Sequence, residues 1–104
     1  MSERLPGESL VTRGLEDLTA GRESAESLLV AIGAPRLRRL GVPVPDVLPA
    51  TPEHRLFRLL GRDDARRAHS RYNALIRRLV SYERARERER GARSRSPAPS
   101  NFGV

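Results

Sequence analysis

Apolar residues return every three or four positions along most of this chain, in short bursts cut by serine, glycine and proline. Leu10, Val11, Leu15 and Leu18 share one helical face, which predicts a first helix over residues 9–20. Ser9 is a suitable N-cap, and Gly21 suits the left-handed position that ends a helix. Gly14 lies inside this segment, at a cost of ~1 kcal/mol relative to Ala. Ser24 caps a second helix whose Ala25, Leu28, Leu29 and Ile32 keep the same period, with Gly33 expected to close it. Pro35 fits a first helical position, so a short third helix is expected over residues 35–40, burying Leu37 and Leu40.

The period then breaks. Residues 41–50 carry three prolines, which forbid a helix and favour extended backbone before each one. Val42, Val44, Val47 and Leu48 make the segment an apolar strap expected to lie across the helices. Thr51-Pro52 starts another helix with Leu56, Phe57, Leu59 and Leu60 on its inner face and Gly61 as its stop. Asp63 is expected to cap the last and longest helix. There Ala68, Tyr72, Leu75, Leu79 and Tyr82 follow the 4-3-4-3 spacing of a heptad seam, widened by Ala65, Ile76 and Val80. Beyond Tyr82, residues 83–90 are all charged except Ala85, and their opposed i, i+3 and i, i+4 charge pairs nearly cancel, so this end is expected to fray.

No stretch alternates apolar and polar residues for long enough to build a sheet. The expected fold is an all-α single-domain bundle of four to five helices with a Pro/Val-rich connecting strap and a disordered basic C-terminal tail. The expected layout is a flexible N-terminus over 1–8, a helical domain over 9–83, and a charged helix end with a disordered tail over 84–104.

Charge adds a direction to this picture. All 20 basic residues of the 104 are Arg, and none is Lys. Residues 1–34 hold three Arg against six acids, whereas residues 35–104 hold 17 Arg against seven. The second part is therefore expected to meet an anionic or acidic partner. The chain has no Cys, which excludes disulfides and thiolate metal sites and fits a cytoplasmic setting. No apolar run approaches the ~20 residues of a membrane span, and no secretory leader is legible, so no membrane partner is expected.

Candidate chemistry is sparse. His54 and His69 are the two histidines, and His69 falls at the edge of the last helix's apolar arc, where packing explains it. Asp63, Asp64 and His69 match no metal-ligand spacing, and Gly33-Ala-Pro-Arg lacks the second Gly and the Lys of a phosphate loop. No catalytic residue, cofactor site or metal site is assigned, and a non-enzyme is expected.

The outer face of the last helix carries the strongest signal. At 100° per residue, Ser70, Ala74 and Ser81 lie opposite the seam, with Ala85 nearby. Arg66, Arg77 and Arg84 line one side and Arg67, Arg71 and Arg78 the other. Small residues admit a close neighbour, and flanking guanidiniums can fork onto carboxylates or phosphates. Arg36, Arg38 and Arg39 form a secondary basic patch. The expected function is a non-enzymatic helical binding module, a small regulatory or accessory subunit docking on a larger protein with an acidic surface. The alternative is an Arg-rich, sequence-tolerant DNA- or RNA-binding protein, disfavoured by the three Glu interleaved in residues 83–90.

Overall fold

The computed structural model describes residues 4–95, with side chains through residue 92. Within that span the chain forms four helices: α1 (Glu8–Ala20), α2 (Ala25–Arg39), α3 (Pro52–Asp63) and α4 (Ala68–Arg95). The described residues include no strand. The expectations for residues 1–3 and 96–104 lie outside the described span.

The centre of the fold is α2, packed by α1, α3 and α4. Its Leu28, Leu29, Val30, Ala34 and Leu37 are fully buried, on more than one face, as expected of a helix contacted from several sides. A reciprocal serine cap starts it. Ser27 N donates to Ser24 Oγ (3.0 Å), and Ser24 N donates to Ser27 Oγ (2.8 Å).

The expected break at Gly33 does not occur. The helix runs on through Gly33 and Pro35 to Arg39, so the separate helix over 35–40 is the last part of α2. Pro35 denies Ala31 its i+4 donor, a loss of ~3 kcal/mol. Burial of Leu37 alone returns ~1.5–3 kcal/mol, and Ala34 and Leu40 add to it. The true stop is Gly41, at φ 86°. There Val42 N donates to Leu37 O (2.9 Å) and Gly41 N to Arg38 O (3.0 Å), the paired bonds of a Schellman ending.

Residues 41–51 link α2 to α3 without helix. Val42 and Val44 are buried, Leu48 is half-buried, and Val47 stands 86% exposed. The α3 helix passes its expected stop at Gly61, which does not take a left-handed backbone, and ends at Asp63. Asp63 does not cap α4: it is the last residue of α3, and Asp64 ends that helix and starts a turn. Asp64 Oδ1 accepts from Arg66 N (3.0 Å) and its carbonyl accepts from Arg67 N (3.1 Å). Residues 65–67 are therefore a turn, α4 begins at Ala68, and Ala65 is exposed instead of widening the seam.

The ends also differ from the expectation. Gly7, not Ser9, is the residue before α1, and Glu8 Oε1 accepts from Arg4 N (3.0 Å) and Leu5 N (3.2 Å). At the other end α4 stays helical through Arg95, including Gly91 and the charged run.

Candidate partner-binding face

The inward side of α4 buries Ala68, Leu79 and Tyr82, with Tyr72, Leu75 and Ile76 half-buried beside them. That phase turns the opposite side outward. Ser70, Arg71, Ala74, Arg77, Arg78 and Ser81 are all exposed on it, while Arg66 and Arg67, expected on the same helical face, are exposed in the turn that precedes α4. Arg71 reaches Asp63 Oδ2 at 3.6 Å. Arg66, Arg67, Arg77 and Arg78 form no ion pair among the described residues.

Ala85 is buried and does not belong to this strip. The N-terminal turn accounts for the difference. A Cβ at Gly7 would lie 2.8 Å from Arg78 O and 3.3 Å from Tyr82 Cβ, so the turn sits directly on α4. Arg4 forms an ion pair with Glu89, one helical stretch further along. Pro6 and Gly7 thereby make one wall of a shallow groove of about 400 Å³ whose other lining is Ala74, Arg77, Arg78 and Ser81. The sequence signal was Pro6-Gly7, where only a residue without Cβ permits such an approach.

The charged run resolves by direction. Glu83 is 5% exposed, and burial pushes its carboxyl above the usual carboxylate range while Arg36 Nε, 4.0 Å away, pulls it back in part. Glu87 accepts from Arg36 Nη2 at 2.6 Å. Arg86 Nε and Arg90 Nη1 both donate to Leu40 O, at 3.1 and 3.2 Å, completing the C-terminal end of α2. The second half of α4 is thus fastened to α2 and to the N-terminal turn by groups too far apart in sequence to be paired by local spacing. Arg84 and Arg88 are left exposed, without an ion pair among the described residues. They continue the basic side of the outer face about 16 Å along the helix from Arg77.

The secondary patch is mostly structural. Arg36 is taken by Glu83 and Glu87, and Arg38 donates to Pro45 O. Arg39 alone of the three has neither an ion pair nor a side-chain hydrogen bond among the described residues. His69 is exposed and meets the Phe57 ring edge-on at 6.2 Å, while Phe57 also leans on Tyr72 at 6.0 Å. Among the described residues no group of three His, Asp or Glu side chains is placed to hold a metal ion. No described helix is long and apolar enough to cross a membrane.

One concavity was not legible from the sequence. The turn between α1 and α2 faces the Pro/Val segment across about 510 Å³ lined by Leu18, Ser27, Pro45, Val47 and Leu48 among others. Its walls come from two separate stretches, residues 18–27 and 45–49, which periodicity cannot bring together.

Comparison of the chain with protein-family models, with curated proteins and with solved structures returned no match.

Proposed function

We propose that this protein is a non-enzymatic helical binding module, an accessory subunit that docks an acidic surface of a larger protein through the outer face of α4. The observation that supports it most is the set of four exposed guanidiniums, Arg66, Arg67, Arg77 and Arg78, that form no ion pair among the described residues while Ser70, Ala74 and Ser81 keep the surface between them low. A guanidinium without an internal partner keeps its five donors for a carboxylate of another molecule. The test is co-purification of the full chain at moderate salt, alongside an Arg77→Glu/Arg78→Glu double variant. A protein retained by the native chain and lost with the double variant supports the reading, and retention by both overturns it.

A second reading has its own support. Glu83, Glu87 and Glu89 interrupt the basic run in sequence, yet each faces an arginine of another element. With those acids each held by an arginine of the fold, Arg77, Arg78, Arg84 and Arg88 on α4 and Arg66 and Arg67 in the turn before it make a basic surface able to contact phosphates. Salt separates the two readings. Engagement of about six phosphates would give a log-log slope of affinity against salt of about −5 on duplex DNA. A weak, salt-insensitive interaction with duplex DNA and RNA removes the nucleic-acid reading.

A further inference from the structure

A second basic concavity lies apart from the α4 face. The α3 helix turns Leu56 and Leu60 into the core, so its opposite side carries His54, Arg55, Arg58 and Arg62. Together with Thr51 and Glu23 these residues line a groove of about 350 Å³. That volume falls at the low end of small-molecule sites.

The groove is electrically one-sided. Glu23 is the single acid on its walls, and its carboxylate is already held by Arg55 Nη1 at 3.0 Å. That pair closes one edge of the groove and leaves His54, Arg58 and Arg62 without an ion pair or side-chain hydrogen bond among the described residues. The three stand at i, i+4 and i+8 on one helix, so each step along the row is about 6 Å. Two guanidinium forks at that spacing can grasp one tetrahedral anion from two sides, and the imidazole lies one turn further along. A lone carboxylate needs one fork, as Glu23 on Arg55 illustrates. A phosphate monoester brings more oxygens and more charge than one fork can satisfy.

We infer that the groove formed by His54, Arg58 and Arg62 binds the phosphate group of a small molecule, as free phosphate or as its monoester. The test is a two-dimensional amide NMR titration of the full chain with inorganic phosphate and with glycerol 3-phosphate, each against sodium chloride at matched ionic strength. Saturable shifts confined to residues 51–62 are expected. Arg58→Gln and Arg62→Gln should each weaken binding about tenfold, whereas Arg77→Glu on α4 should leave it unchanged. Tighter binding of the ester identifies an organic phosphate as the ligand, and equal binding identifies free phosphate. Shifts reproduced by chloride, shifts that never saturate, or perturbation of residues 51–62 by duplex DNA but not by phosphate would each overturn the assignment. Because α4 variants are a separate arm, failure here leaves the α4 reading standing, and the reverse also holds.

Discussion

Gly14 of α1 lies so close to Glu26 of α2 that a Cβ on the glycine would sit 2.4 Å from the Glu26 carbonyl oxygen. That added Cβ would also lie 2.5 Å from Val30 Cγ2. The glycine that weakens α1 as a helix is what lets the two backbones cross. Replacement by Ala gains ~1 kcal/mol of helix propensity and meets a backbone that cannot step aside, so Gly14→Ala should destabilise the fold by ~1–3 kcal/mol net. At Gly33 the added Cβ would meet Leu79 methyls at 3.0 and 3.1 Å and Glu83 Oε2 at 3.1 Å, which are side-chain atoms. Gly33→Ala should therefore cost less than Gly14→Ala. Urea midpoints of the two variants check the ranking, and the reverse order would refute it.

Glu83 makes stability depend on pH in an unusual sense. Burial raises its carboxyl in the folded state, so the folded chain holds that proton more tightly than the unfolded chain. The Glu83 contribution then improves as pH falls from its raised folded value toward the ordinary carboxylate value, and is lost as pH rises. Asp17 acts oppositely, since its bonds from Ser24 and then Arg22 hold it below the usual range. Comparison of the native chain with Glu83→Gln isolates the first effect. Denaturation at pH 7 and pH 5 should show the native chain gaining on the variant as pH drops, and a gap that stays constant would exclude a proton-linked role.

Arg86 and Arg90 converge on one carbonyl, Leu40 O. Each hydrogen bond contributes ~1 kcal/mol at a partly buried position. Arg86→Ala with Arg90→Ala should release the last turns of α4 before the rest of the bundle. Hydrogen exchange should speed up over residues 84–95 while Leu28 and Leu29 amides keep their protection. Uniform loss of protection would mean that these contacts support the whole core.

Ala74 is exposed, on the side of α4 away from Leu79. Ala74→Glu should leave the unfolding midpoint nearly unchanged, within ~0.5 kcal/mol of stability. It should also place a carboxylate between Arg77 and Arg78 and weaken capture of an acidic partner. Circular dichroism and a pull-down on the same preparation read both quantities.

Three periodic segments were legible from residue spacing alone. Leu10 and Val11 point inward on α1, Leu56 and Leu60 on α3, and Leu79 and Tyr82 on α4, as a 3.6-residue period requires. Six of the eight predicted face residues, Ser70, Arg71, Ala74, Arg77, Arg78 and Ser81, are exposed on α4 for the same reason, since burying one side of a helix turns the other out, whereas Arg66 and Arg67 are exposed in the turn before it. Breaks were harder to place. Gly33 and Gly41 look alike as helix stops, and only Gly41 takes the left-handed backbone, because α4 packs on Gly33 and holds α2 straight.

Spacing along the chain was enough to determine an all-helical build, the inward face of three helices and the surplus of arginine in the second part, because these depend on local periodicity and composition. Tertiary packing decided what the charges do. Glu87 and Arg36 are 51 residues apart, and Arg90 and Leu40 are 50 apart. Whether an ion pair forms inside a helix, across helices or with another molecule depends on which side chains the packed bundle brings within a few ångströms, and that distance is set by the core rather than by neighbours in sequence.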